Sequence, residues 1–276
     1  MAKVMTLNTH SWMETETELK FEQLVSALVK ADYDVIALQE VNQLLDSKPA
    51  ELDEYFQALT DQRVIHQDNF AYCLIKQLKA HGLNYYWSWT ASHIGYDKYA
   101  EGSAIFSKAP IKPLSLLVSL EKDFSDYHTR QILIGETKLM NQTVRVVSGH
   151  YSWWVEDRAS GFAFEWDNTL KYLAKGSTPI ILMGDLNNAA DIEGEGYAYV
   201  KQTAPDLQDA FTIAETTDGQ FTVENSIDGW EGNNQQLRID YILLSNEFKV
   251  KRYRVIFDGR LSPVISDHFG VEAEIY

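Results

Sequence analysis

Cys73 is the single cysteine among 276 residues, so no internal disulfide holds this chain together. No segment approaches the ~20 apolar residues that a membrane span needs. Met1-Ala2-Lys3-Val4 enters a strand-like run directly, with no basic stretch followed by a long apolar one, so no secretory signal is visible. These absences set the expectation of a reducing compartment, the cytoplasm, and of no membrane partner. Six prolines and 15 glycines are scattered, leaving no low-complexity tract, repeat period or linker. Residues 1–276 are therefore expected to form a single domain.

Positive charge is scarce as well. There are 24 Lys and Arg against 40 Asp and Glu, a formal charge of −16. Nucleic-acid binding draws most of its affinity from basic side chains on backbone phosphates, so a long polyanion is a disfavoured partner. The densest basic cluster, Lys249, Lys251, Arg252 and Arg254, alternates with Val250, Tyr253 and Val255. It reads as the charged solvent face of an edge strand. Otherwise the balance is ordinary: 45% apolar and 23% charged residues suit a sizeable core. Cys73 falls in a stripe with Phe70, Leu74 and Leu78 at helical spacing and is expected to be buried.

Periodicity supplies the elements. Val4–Asn8 and Val35–Leu38 read as strands around a helix whose buried face is Phe21, Leu24, Val25, Leu28 and Val29. Thr15 and Glu18 have capping-box spacing at its start. A short helix is expected around Glu51–Leu59, and Asn69 is expected to cap a helix running to His81. Tyr85–Trp89 and Ser103–Phe106 are strands. Ile132–Lys138 and Thr143–Ser148 form a hairpin about Asn141-Gln142, and a helix follows at Ala163–Ala174. Ile239–Leu244, Lys249–Phe257 and Val271–Ile275 are the last strands. Strands dominate, which points to two facing sheets with helices outside.

The most informative stretch is Met183-Gly184-Asp185-Leu186-Asn187. Ile180–Met183 reads as a buried strand that Gly184 ends, delivering Asp185 and Asn187 at its tip. Val4–Leu7 likewise delivers Asn8, Val35–Leu38 delivers Gln39-Glu40, and Val264-Ile265 delivers Ser266-Asp267-His268. Carboxylates, amides and an imidazole at strand tips suit a metal-assisted hydrolase of phosphate esters.

Add Glu101-Gly102-Ser103, Ser148-Gly149-His150 and Arg238-Ile239-Asp240, and the order of motifs resembles the endonuclease/exonuclease/phosphatase superfamily from residue 4 to 275. The resemblance implies an α/β four-layer sandwich: two mostly antiparallel sheets packed face to face, with helices outside. It implies Mg²⁺, with Mn²⁺ as a substitute, held by Asn8, Glu40 and Asp267. It implies that Asp185 and Asn187 position and activate a water. Asp240 would hold His268 as a cation against the phosphate, and Glu101 would orient His150, a phosphate contact or acid. Arg130 matches a phosphate-contacting arginine, with a surface ion pair as the other reading. The remaining five histidines read as ordinary surface or core residues. The chemistry implied is in-line attack of water on phosphorus.

The superfamily leaves the substrate open, because function lives in the loops around the site. Trp12, Trp153, Trp154 and Trp230 follow or precede the motif residues closely, with Phe162, Phe164 and Trp166 nearby. Each is either an aromatic rim that stacks on the substrate or a core anchor. With the acidic balance, Trp12, Trp153 and Trp154 point to a small phosphorylated sugar, as in the maltose 6'-phosphate phosphatase branch. A metal-dependent nuclease acting on DNA or RNA is the alternative, a sphingomyelinase-like phosphodiesterase a weaker one, and a non-catalytic binder would have lost the motif residues.

Overall fold

The computed structural model describes residues 1–227, 229–260 and 262–276. In chain order its elements are β1 (Ala2–Asn8), α1 (Thr17–Ala31), β2 (Val35–Gln39), β3 (Gln43–Leu44), α2 (Phe70–Ala80), β4 (Tyr86–Gly95), β5 (Tyr99–Ser107), β6 (Lys112–Leu117), β7 (Gln131–Leu139) and β8 (Gln142–His150). There follow α3 (Gly161–Leu173), β9 (Ile180–Asp185), α4 (Gly196–Thr203), β10 (Leu207–Asp209), α5 (Ala210–Ile213), β11 (Thr216–Asp218), β12 (Asp240–Ser245), β13 (Val250–Ile256) and β14 (Gly270–Ile275). One sheet runs β11-β13-β14-β1-β2-β5-β3, with β4 also paired to β5; the other runs β10-β12-β9-β8-β7-β6. Among the described residues the parallel strand pairs are β1–β2, β8–β9 and the short β11–β13.

The central strands are apolar on both faces because both faces are covered. Val4, Val35, Ala37 and Ile105 meet Val144, Val146, Ile181, Met183 and Ile242 between the sheets. Met5, Leu7, Ile36, Leu38 and Phe106 face outward onto Leu24, Val25 and Leu28 of α1 and Phe70, Leu74 and Leu78 of α2. On the far side, Ile132, Ile134, Val147 and Leu182 pack against Phe162 and Trp166 of α3 and Tyr197 and Val200 of α4. The expected four layers are therefore present. Among the described residues no helix is long and apolar enough to cross a membrane.

Several local expectations fail for identifiable reasons. Residues 51–59 are not helical. Gln57 N donates to Trp87 O at 2.8 Å and Trp87 N to Tyr55 O at 2.9 Å, so this stretch lies against β4 instead. No capping box opens α1: Glu16 takes a left-handed φ of 54° without a side-chain cap, and Glu14 bonds His10 and Lys20. Asn69 does cap α2, its Oδ1 accepting from Tyr72 N at 3.1 Å. The β7–β8 turn is Met140-Asn141, both at positive φ (49° and 65°), one residue earlier than read. Val264-Ile265 is not a strand but part of the loop between β13 and β14. Cys73 sits partly exposed on the flank of α2 beside Trp12 and Lys76, because Ala71 and Ile75 complete the buried stripe. β13 is not the sheet edge, since Thr216–Asp218 pair with Arg252–Arg254, and Arg254 is paired with Glu272.

Gly184 does not end β9; the strand continues through Asp185. Its φ is 144°, and a Cβ there would overlap the backbone carbonyl of Gly149 on β8. The residue is needed for β8 and β9 to approach at the end that carries His150 and Asp185. Gly184→Ala should therefore lower stability by more than about 1 kcal/mol, seen as a drop in melting temperature of a few degrees. An unchanged melting curve would show that the strands have room to part.

Candidate functional site

The register of the second sheet sets three side chains in a row. His150 of β8 lies opposite Asp185 of β9, and Asp185 lies opposite Asp240 of β12. On the first sheet Asn8 ends β1 beside Gln39 of β2, with Glu40 next along the chain. The two groups meet where the sheets face each other. Asn8 Nδ2 donates to Glu40 Oε1 at 2.8 Å and to Asp185 Oδ2 at 3.1 Å. Gln39 Nε2 bonds Ser148 Oγ at 2.9 Å, and Ser148 Oγ donates to Leu38 O at 3.1 Å, a second polar tie between the layers.

His268 arrives from the loop before β14. Its Nδ1 is 2.9 Å from Asp240 Oδ2 and its Nε2 is 3.8 Å from Asp185 Oδ2. His150 Nε2 is 3.7 Å from that same Asp185 oxygen and 4.0 Å from Glu40 Oε1. The surroundings bias the two imidazoles in opposite directions. Burial works against a charge on His268, but Asp240 and Asp185 outweigh it and hold the ring well above its ordinary value. Burial, with Arg130, His93 and His268 close by, holds His150 well below it. Asp185 is pushed up to about 7 by burial, with Asp240 adding to this and His268 opposing it. Glu40 is pushed up to about 8 by burial and by the charges of Glu101 and Asp267.

Asn187 folds back at φ 52°. Its backbone N–H donates to Asp185 Oδ1 at 2.7 Å, and its Nδ2 donates to Tyr151 O at 2.9 Å. Trp230 Nε1 donates to Asn187 Oδ1 at 3.2 Å from the loop read from Asp228 to Gln236; Asp228 itself lies outside the described residues. Arg130 is buried rather than a surface ion pair. Its Nε donates to Ser152 Oγ at 3.3 Å, and Ser152 N donates to the buried Glu165 at 2.8 Å. A cleft of about 330 Å³ joins Glu40, Glu101, Arg130, His150, Trp153, Asp185, Asn187 and His268.

Four expectations change. Asn8 turns nitrogen, not oxygen, toward both carboxylates, because its Oδ1 accepts His10 N–H at 3.2 Å; here it bridges carboxylates instead of offering an oxygen ligand. Glu101 is closer to His93, at 3.3 Å, than to His150 Nδ1, at 4.0 Å. Trp12 lies outside the cleft: half-buried, it packs on Phe21 and Phe70 beside the groove between α1 and α2 and donates to Asp68 O at 2.7 Å. Trp154 likewise packs edge-on to Tyr199, with Arg158 over its ring. Phe162 and Trp166 are core, while Trp153 lines the cleft. Asp267 sits beside His10, 3.7 Å from Nδ1, with its backbone N–H on Glu14.

The cleft also holds residues that sequence reading passed over: His93, Tyr96, Tyr127 and Glu231. None follows an apolar run that would have flagged it. His93 faces Glu101 only through the pairing of β4 with β5.

The donor chemistry fits a hard divalent cation. Glu40 stands among the acids Glu101 and Asp267, Asp240 Oδ1 is buried without a hydrogen-bond partner, and Asp185 and Asp240 each offer a carboxylate oxygen within 4.8 Å of the other.

The model of the Endonuclease/Exonuclease/phosphatase family matches residues 13–268. An endonuclease/exonuclease/phosphatase family protein from Leptotrichia buccalis C-1013-b is 31% identical, with a TM-score of 0.85 and both chains covered at 100%. A mannosyl-6-phosphatase from Bacteroides thetaiotaomicron VPI-5482 superposes with a TM-score of 0.67 at 19% identity, again over 100% of both chains. Truncated TDP2 from Caenorhabditis elegans gives 0.66 at 18%, over 100% of this chain and 97% of that one. The last two share the fold alone. Comparison with curated proteins yields no match.

Trp12→Ala should lower stability by about 2–3 kcal/mol. Trp12→Ala and Trp154→Ala should both keep kcat/KM on phosphoesters within about twofold, a negligible change in transition-state binding. A folded Trp12→Ala protein with greatly reduced turnover would contradict this placement of the tryptophans.

Proposed function

The chain belongs to the Endonuclease/Exonuclease/phosphatase family of metal-dependent phosphoester hydrolases, and from that premise we propose that it is a phosphatase releasing inorganic phosphate from a small phosphorylated sugar. The observation that carries this reading is the make-up of the cleft. Arg130 is the one Lys or Arg among the described residues that line it, Glu231 adds further acid, and Tyr96, Tyr127 and Trp153 supply flat apolar surface. One guanidinium suits one phosphate group. A nucleic-acid track needs several cations spaced along a backbone. Aromatic faces beside hydrogen-bonding carboxylates suit a sugar ring. A fold-level likeness to a mannosyl-6-phosphatase is consistent with this, though the fold is shared equally with TDP2.

The proposed roles follow from geometry. Glu40 and Asp267 would hold the cation. When bound, the cation offsets charge on the phosphoryl oxygens. Asp185 orients the attacking water and takes a proton from it as the new O–P bond forms. Asn187, with its amide fixed by Tyr151 and Trp230, offers its remaining N–H to a phosphoryl oxygen. His268, kept cationic by Asp240, sets a positive charge against the same group. The P–O bond to the sugar breaks, and His150 gives a proton to the departing oxygen. The proton taken from water at Asp185 Oδ2, 3.7 Å away, restores it. Burial beside cations holds His150 below its ordinary value in the free site, so the negative charge of a bound phosphate has to supply the attraction that lets it carry the proton.

A parallel screen of hexose and disaccharide phosphates, nucleotides, plasmid DNA and abasic-site DNA tests the reading. Phosphate release from sugar phosphates should dominate. Efficient nicking of DNA without release from sugar phosphates would overturn the substrate class. Chelation should abolish turnover, and Mg²⁺ or Mn²⁺ should restore it. Asp185→Ala and His268→Ala should each lower kcat by about 10²–10⁴-fold with the fold intact; rates near wild type would show the roles to be misplaced.

A further inference from the structure

Strand β4 is irregular at Ser92. The pairing passes from Ala91 opposite Gly102 to His93 opposite Glu101, so Ser92 is the extra residue of a β-bulge. Bulges re-aim the next side chain and are concentrated near active sites. This one is pinned from the second sheet: Ser92 Oγ accepts Gln131 N–H at 2.7 Å and donates to Gln131 O at 3.2 Å. Gly102, opposite, has no space for a side chain, since a Cβ would fall on the Thr90 carbonyl.

The effect of the bulge is to turn His93 into the cleft, where it is 4% exposed. Nδ1 lies 3.1 Å from Thr129 O, and a carbonyl oxygen only accepts, so the proton at that end is on the histidine. Nε2 is thereby directed at Glu101 Oε1, 3.3 Å away, and donates to it when the ring carries both protons, the state a carboxylate at this distance favours. Gly95, two residues on, leaves room for the other carboxylate oxygen, as a Cβ there would lie 2.6 Å from Glu101 Oε2. Glu101 is thus gripped from one side, and from the other its Oε1 faces His150 Nδ1 at 4.0 Å.

We infer that His93 is a positioning residue: carried by the bulge and anchored on Thr129, it fixes the Glu101 carboxylate in the direction from which that carboxylate orients His150. The chain of contacts runs from Thr129 O through His93 and Glu101 to His150, whose Nε2 faces Asp185. The inference rests on the role proposed above for His150 and deepens it. Its consequence is specific. Loss of His93 impairs proton delivery to the departing oxygen, so it matters for an alkyl or sugar ester. It matters little for p-nitrophenolate, which departs without a proton.

The experiment compares His93→Asn with His93→Gln. The Gln amide nitrogen stands close to the position of Nε2 and can still donate to Glu101; the Asn nitrogen stands close to Nδ1 and cannot. With melting temperature and KM unchanged, His93→Asn should lower kcat on a sugar phosphate by about 10–100-fold, within the range for general acid catalysis. Its kcat on p-nitrophenyl phosphate should fall by less than about threefold, since that ester draws little on the acid. His93→Gln should recover most of the loss. Equal losses on both esters, no loss on either, or a Gln variant no better than Asn would overturn the inference. A wild type that cleaves only diesters would instead overturn the phosphatase reading. In that case the same comparison on bis(p-nitrophenyl) phosphate and an alkyl diester judges His93 on its own.

Discussion

Two carboxylates from different sheets, the half-buried Glu40 and the buried Asp185, are brought together at one end of the sandwich, and the Asn8 amide stands between them. Left alone, such a pair repels and resists burial. The two N–H bonds of one Nδ2 group relieve part of that cost and fix the spacing of the layers at this end. The amide is itself held by the His10 N–H on its oxygen, which draws the chain after β1 into left-handed conformations at His10 and Ser11. Gln39 and Ser148 repeat the tie one step inward. The remaining site geometry depends on this closure. His150 and Asp240 are placed by their register with Asp185, and His268 by its hydrogen bond to Asp240.

The electrostatics are those of a site short of positive charge. Burial and crowding push Glu40 and Asp185 upward, while Asp240 keeps His268 charged. A divalent cation together with a phosphate dianion would answer both conditions at once, the cation by compensating the acids and the anion by accepting Arg130 and the histidines. Perturbed groups gathered in one cleft are a common mark of a functional site. Here they stand on strand ends and in loops tied to those ends, a rigid platform for chemistry that needs small tolerances.

Substrate choice is decided elsewhere. The strand ends that carry Asn8, Asp185 and His150 belong to the shared fold, and the same fold serves a sugar phosphatase and TDP2. The rim is built by loops. Tyr96 sits in the β4–β5 turn, Tyr127 in the loop before β7, Trp153 after β8, and Glu231 in the loop before β12. Four separate loops form the wall against which the leaving group would lie, and the same wall leaves Arg130 as the main cation for a phosphate.

The sequence by itself determined the layered architecture and the group of motif residues. An apolar run covered on both faces and ending in a carboxylate or amide is a local pattern, readable at Val4–Asn8, Val35–Glu40 and Ile180–Asp185 without knowing where the strands go. It could not say which tryptophans line the cleft. Trp12 and Trp153 each follow a motif residue within four positions, yet one packs against Phe21 and Phe70 of the helices and the other faces the cleft. Nor could it reveal His93, whose approach to Glu101 is set by strand pairing and a single bulged residue, or the orientation of the Asn8 amide. Those features are settled by contacts between residues far apart in the chain. Local spacing specifies which face of a strand a side chain occupies, whereas only the packing of one sheet on another specifies what that side chain meets.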